Sequence, residues 1–136
     1  FIAEATHEEK PVIKSFWELC SGSSALSAQA AKKGVSHFPP VDYRYGWNCA
    51  RTRDQVAMVT ALTTVGVRML FMAPSCHPWG SNSRTLSSEA RRMKRQAERP
   101  SLMFLAMLCL LQIVMGRGYM FENPAFSDIL YPMNLL

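Results

Sequence analysis

The stretch that decides the fold is "VRMLFMAPSCHPWG", residues 67–80. Its first seven residues form an apolar run of strand length, which is typical of a central strand in a parallel sheet. Two prolines then flank Cys76, and proline rings stiffen a loop. The sequence therefore predicts a buried strand that ends in a rigid, cysteine-bearing loop.

Working outward from this strand, strand and helix patterns alternate. Proline at 39 and 40 pushes the second strand toward an edge or an irregular form, and Pro100 separates the last two helices. This alternation predicts an α/β fold with an open, mostly parallel sheet and helices on both faces. The predicted strands are residues 11–19, 35–42, 67–73 and 116–124, and the predicted helices are residues 24–34, 54–66, 86–98 and 101–115.

Length and composition indicate one packed domain. The chain has 136 residues, of which 49% are hydrophobic and 18% charged, as in ordinary globular domains. We expect residues 1–10 to be a polar tail or linker and residues 11–136 to form the domain. The chain starts at Phe1 without an initiator methionine or a signal peptide, so we expect it to be a piece of a longer protein.

The net charge of +5 is concentrated in one segment. Residues 84–99 hold six basic side chains against two acidic ones, which leaves +4 there. A local basic patch favours a polyanionic partner, although a solvated helix face would have the same composition.

The four cysteines fit no disulfide or zinc pattern. They form no CxxC pair, and no histidine follows at zinc-like spacing, so we expect reduced thiols, no metal, and an intracellular location, nuclear or cytoplasmic. The most apolar run, residues 101–116, is shorter than the roughly 20 residues of a membrane span, and Gln112 interrupts it. We interpret it as a buried helix and expect no membrane partner.

Residues with chemical potential follow each predicted strand, as "ELCSGSS", "VDYRYG", "APSCHPWG" and "FENP". Ligands of open α/β sheets bind at the carboxyl ends of strands. Gly22 permits close approach of a ligand to the backbone. A single glycine does not satisfy the dinucleotide fingerprint, and an ordinary turn accounts for the segment equally well.

Three side chains at these ends each allow a functional and a structural interpretation. Asp42 can accept hydrogen bonds from a ribose or simply cap a turn. Cys76, with His77 as a base, can act as a nucleophile or be an inert buried thiol. Glu122 can bind a heterocycle nitrogen or face water at the end of its strand.

Taken in order, "ELCSGSSALS", "VDYRYG", "APSCHPWGSNS" and "YMFENP" resemble the catalytic half of the cytosine-5 DNA methyltransferases. The similarity spans residues 12–128. The first and last motifs also resemble divergent methyltransferase-like domains of retroelement-type polyproteins. The resemblance implies a Rossmann-like methyltransferase sheet with incomplete C-terminal strands.

The resemblance also implies roles for individual residues. Cys76 would attack C6 of cytosine, Glu122 would hold the ring at N3, and C5 would receive a methyl group from S-adenosylmethionine. The cytosine would be flipped out of DNA or single-stranded. The cofactor would contact Glu18, Cys20, Ser21, Gly22, Ser23, Asp42, Tyr43, Asn48 and Pro74. The DNA would contact Asn82, Arg84, Arg91, Arg92, Lys94 and Arg95.

Departures from the family keep other functions open. His77 stands where the family has glutamine, and the family's later strand and DNA-reading domain have no counterpart, so we expect a recognition domain elsewhere in the same or another chain. A catalytically inactive module that binds nucleic acid or a protein partner is the main alternative. Methylation of another base, of RNA or of a small molecule is a third, although the tetrad typical of amino-group methylation is absent.

Overall fold

The computed structural model describes residues 13–124 and 127–129. The expected tail, residues 1–10, lies outside the described residues. The described chain has an α/β fold with a three-stranded, open, parallel sheet in the order β1-β2-β3. Its elements are β1 (Lys14–Leu19), α1 (Ala25–Lys32), α2 (Thr52–Thr64), β2 (Val67–Met72), α3 (Ser88–Val114) and β3 (Gly118–Phe121).

The apolar run of the opening motif forms the central strand, as predicted. In the parallel register, Trp17 of β1 pairs with Leu70 of β2, and Leu70 pairs with Tyr119 of β3. Leu70 and Met72 are fully buried. The segment Val67–Met72 is apolar except for Arg68, which explains why β2 could be identified from the sequence.

The predicted second strand is an irregular edge segment instead of a regular strand. Residues 35–42 form two isolated parallel bridges to β1, between Phe16 and His37 and between Leu19 and Val41. The bridges lie on the side of β1 away from β2, because the Phe16 carbonyl accepts from Phe38 while the Leu19 carbonyl accepts from Ala73 on the other side. The chain therefore changes direction at β1, which creates a topological switch point.

Helices lie on both faces of the sheet. Glu18 points toward α1, where its carboxylate accepts hydrogen bonds from Ser27. Trp17 and Leu19 point to the opposite face, since successive strand side chains alternate, and they join one buried cluster with Leu105 of α3.

The helix break predicted at Pro100 is wrong. A single helix, α3, runs from Ser88 to Val114 through Pro100. Proline inside a helix costs roughly 3 kcal/mol, but α3 offsets this by burying its apolar side: Leu102, Leu105 and Leu108 are almost fully buried. By length and composition α3 is long and apolar enough to cross a membrane, and 39% of its most apolar window is buried inside the domain.

Candidate ligand cavity at the switch point

A cavity of about 410 Å³ opens at the carboxyl ends of the strands, beside the switch point. Its volume lies within the roughly 300–1,000 Å³ of small-molecule sites. Loops that follow β1, the edge segment and β2 form three of its walls, and α3 forms the fourth. Its lining residues are Cys20, Gly22, Val41, Asp42, Tyr43, Arg44, Trp47, Cys49, Ala73, Pro74, Ser75, Glu98, Ser101, Leu102 and Leu105.

The loop after β1 has an unusual backbone. Cys20, Gly22 and Ser24 have φ values of 55°, 53° and 57°, and left-handed backbone is uncommon for residues other than glycine. The Ser24 hydroxyl donates to Tyr45 Oη at 2.8 Å. Backbone strain of this kind costs on the order of 1–3 kcal/mol per residue and is found preferentially at functional sites.

Asp42 links two walls of the cavity, the loop after β1 and the loop after the edge segment, by hydrogen bonds. Its Oδ2 accepts from the Gly22 amide at 2.9 Å, and its Oδ1 accepts from the Arg44 amide at 3.0 Å. A carboxylate has about four lone-pair sites and the two amides use two of them, so Asp42, which lines the cavity, keeps acceptor capacity.

The α3 wall presents a stripe of four residues at positions 98, 101, 102 and 105. This spacing places them on one side of a helix. Glu98 also accepts a hydrogen bond from the indole nitrogen of Trp79 at 2.8 Å. The wall is therefore polar at Glu98 and Ser101 and apolar at the two leucines.

An ion-pair network supports the loop that carries Trp47 and Cys49. Asp54 accepts from the Asn48 amide at 2.9 Å and from the Arg51 Nη2 at 2.5 Å. The hydrogen bond from Arg51 is the main cause that lowers the pKa of Asp54 below its ordinary value. The Asn48 side chain turns back on its own loop, where Oδ1 accepts from the Ala50 amide at 2.8 Å.

Of the predicted cofactor contacts, the cavity brings together Cys20, Gly22, Asp42, Tyr43 and Pro74. The other four lie elsewhere. Glu18 is buried beneath α1, where Ser27 Oγ donates to it at 2.6 Å. Ser21 is hydrogen-bonded to Ser24, Ser23 is exposed, and Asn48 has the turn contact described above.

Sequence reasoning missed the other ten cavity residues, which are Val41, Arg44, Trp47, Cys49, Ala73, Ser75, Glu98, Ser101, Leu102 and Leu105. The α3 members do have a sequence signal, the i, i+3, i+4, i+7 spacing from residue 98 to residue 105. The predicted break at Pro100 divided this pattern. Trp47 and Cys49 lie in an irregular loop, where no periodicity marks their direction.

The predicted catalytic pair lies on two adjoining loops next to the cavity. The Glu122 amide donates to the Met72 carbonyl at 2.9 Å, and the Asn123 side chain donates to the Pro74 carbonyl at 3.0 Å. Cys76, two residues beyond Pro74, is partly buried, and Glu122 is exposed. Neither residue lines the cavity.

The predicted basic surface divides into inward and outward side chains. Arg91 donates to the Ser83 carbonyl, and Arg95 donates to Pro78 O and Asp128. Arg92 pairs with Glu89 on the surface at 2.7 Å. The side chain of Asn82 lies outside the described residues. Arg84 and Lys94 are exposed.

The fold and the cavity define a class: an open parallel α/β domain with a ligand-sized cavity at its switch point. Comparisons with protein-family models, with curated proteins and with solved structures find no match to this chain. Within the described part of the chain, no group of three or more His, Cys, Asp or Glu side chains is placed to hold a metal ion.

Proposed function

We propose that this chain is a Rossmann-like methyltransferase domain that binds S-adenosylmethionine in the switch-point cavity and methylates C5 of cytosine in DNA. The observation that supports it best is the position of the cavity, between the Gly22 turn and Asp42. This is where doubly wound α/β domains bind nucleotides. With DNA as its substrate, the domain would act inside the cell, in the nucleus or the cytoplasm.

The chemistry of the cavity suits an adenosyl ligand. Asp42 has spare acceptor capacity for ribose hydroxyls, and the aromatic rings of Tyr43 and Trp47 offer surfaces for a purine. Glu98 brings a carboxylate to the α3 wall, which favours a cationic ligand. When bound, S-adenosylmethionine would supply an electrophilic methyl group.

The two adjoining loops would provide the reaction on the base. The Cys76 thiolate would form a bond to C6 of cytosine, while Glu122 would hydrogen-bond N3 and stabilise the ring. Once C5 carries the methyl group, loss of the C5 proton to a base would expel the Cys76 thiolate and restore the ring. A base within a stacked duplex cannot reach Cys76, so flipped or single-stranded cytosine is required.

Cofactor binding is tested by calorimetric titration with S-adenosylmethionine. We expect binding to the wild-type domain and weakened binding to the Asp42→Ala variant, because this change removes the acceptor at the cavity. Ser23→Ala is the matched control, since Ser23 is exposed on the same loop. No binding to the folded wild-type domain would contradict the proposal.

Catalysis is tested by trapping with DNA that contains 5-fluorocytosine, in which C5 has no proton to lose. We expect a covalent adduct in the presence of S-adenosylmethionine that Cys76→Ser abolishes. Cys109→Ser is the control, because Cys109 is buried in the core. Cofactor binding without any adduct would reject the catalytic part of the proposal.

A second function, a catalytically inactive nucleic-acid- or partner-binding module, is favoured by one observation. This observation is that Cys76 and Glu122 both stay outside the cavity lining. For this module we expect DNA binding by Arg84 and Lys94 that weakens with salt, and no trapped adduct.

A further inference from the structure

Two thiols from distant parts of the chain meet in the cavity wall. Cys20 follows β1 and Cys49 precedes α2, and both line the cavity. Each cysteine has the largest effect on the pKa of the other, which identifies them as neighbours in this wall. Cys20 is partly exposed and Cys49 is 7% exposed, so the cavity is the route by which a small molecule reaches the pair.

The backbone on each side of the pair is held in place. Cys20 adopts a left-handed conformation with φ at 55°, and the next residue donates its amide to the Val41 carbonyl at 3.2 Å. The Cys49 carbonyl accepts from the Gln55 side chain at 2.7 Å. The two loops that carry the cysteines are therefore each anchored beside the cavity.

The proximity of the two thiols shifts their pKa values in opposite directions. It raises the pKa of Cys20 well above its ordinary value and lowers the pKa of Cys49. Thiolate is the reactive form of cysteine, and the lowered pKa of Cys49 favours this residue as the nucleophile of the pair. Burial raises the pKa of Cys109 to about 11, which makes that residue a suitable internal reference.

We propose that Cys20 and Cys49 form a site of reversible oxidation by hydroperoxides, which converts the pair to a disulfide in the cavity wall. The Cys49 thiolate attacks one oxygen of hydrogen peroxide, the O–O bond breaks and hydroxide leaves, so that Cys49 becomes a sulfenic acid. The Cys20 sulfur then displaces that hydroxyl, its proton leaves with it as water, and the S–S bond forms. A thiol reductant restores both thiols by exchange.

The disulfide would join the loop after β1 to the loop before α2, which are two walls of the cavity. It would therefore fix the cavity in one shape and remove both thiols from its lining. This inference does not rest on methyltransferase activity, because the reaction involves the two cysteines and peroxide alone.

The test treats the whole chain with limiting hydrogen peroxide, blocks the remaining thiols by alkylation, and maps the peptides by mass spectrometry. We expect a mass loss of about 2 Da before alkylation, for two hydrogens, and linked peptides that contain Cys20 and Cys49. Dithiothreitol should restore all four alkylation sites. The Cys76→Ser and Cys109→Ser variants should form the same link.

The wild-type peptide map decides the question even where a variant fails to fold. Oxidation of Cys76 while Cys20 and Cys49 remain alkylatable would overturn the proposal, as would a link that involves Cys76. In a folded Cys49→Ser variant, circular dichroism serves as the folding control, and loss of the link with Cys20 left alkylatable is the expected result.

Discussion

The two halves of the carboxyl edge of the sheet use their polar side chains differently. Around the loops after β1 and the edge segment, Asp42 binds backbone amides and leaves a cavity beside it. Around the loops after β2 and β3, side chains bind one another across the site. The first half therefore leaves an open cavity, and the second half is held closed by its own contacts.

The second half is held by a clamp of four residues. The Arg95 guanidinium lies 4.9 Å from the centre of the Trp79 ring and donates to Asp128 at 2.8 Å. Trp79 donates to Glu98. These contacts fix the Cys76 loop against α3, so we interpret the loop as positioned in advance and not as a mobile segment that orders around a substrate.

The contrast between the two halves does not hold if the clamp does not stabilise the fold. Trp79→Ala is the strongest test of the clamp. Trp79 is only 6% exposed, and removing a buried tryptophan side chain costs about 3–5 kcal/mol. We expect a loss of that size in the free energy of unfolding measured with urea. Trp79→Phe should cost less, because it keeps most of the buried area. A loss below about 1 kcal/mol for Trp79→Ala would show that the loop is not clamped.

Arg95 and Arg92 test whether inward and outward basic side chains differ in their contribution to stability. They lie about one turn apart on α3 and differ in their contacts. Arg95→Ala removes two hydrogen bonds and a cation–π contact, so we expect a loss of about 1–3 kcal/mol. Arg92→Ala removes an exposed ion pair that solvent screens, so its urea midpoint should stay close to that of the wild type. Urea unfolding measures both. Equal losses would contradict the division into inward and outward basic residues.

Sequence patterns predicted the layers of this fold better than the walls of its cavity. The apolar run from Val67 to Met72 identified β2, although Arg68 and Met69 are exposed. The paired prolines at 39 and 40 explain why the edge segment forms bridges instead of a strand. The break expected at Pro100 was wrong because tertiary burial of one side of α3 outweighs the local cost of proline. The directions of Glu18 and Asn48 depend on partners in other elements, which no local pattern specifies.

Asp42 tests the first half directly. Asp42→Asn leaves one carbonyl oxygen but replaces the other with a donor, which cannot accept from the amide it faces. A poorly paired polar group costs about 1–3 kcal/mol, and partial exposure of Asp42 places the expected loss at the lower end. We expect this loss in urea unfolding, together with weaker S-adenosylmethionine binding. Stability and binding both equal to the wild type would show that the carboxylate does not hold the cavity.

The smallest effect is expected at the ion pair beneath the first half, and it depends on pH. The hydrogen bond from Arg51 lowers the pKa of Asp54 in the folded state, so the folded protein binds this proton more weakly than the unfolded chain. The resulting stabilisation is fully present above the ordinary aspartate pKa of about 4 and is lost as the pH falls through the lower folded-state pKa. Asp54→Asn should therefore be less stable at neutral pH and should lose less stability on acidification. Urea midpoints compared at successive pH values between about pH 6 and pH 3 measure this difference.

Glu89→Gln is the matched control for this pH dependence. The Arg92 hydrogen bond also lowers the pKa of Glu89, but that carboxylate is 66% exposed, so solvent screens its effect. Parallel curves for the wild type and Asp54→Asn would mean that the loop bearing Trp47 and Cys49 does not depend on this ion pair.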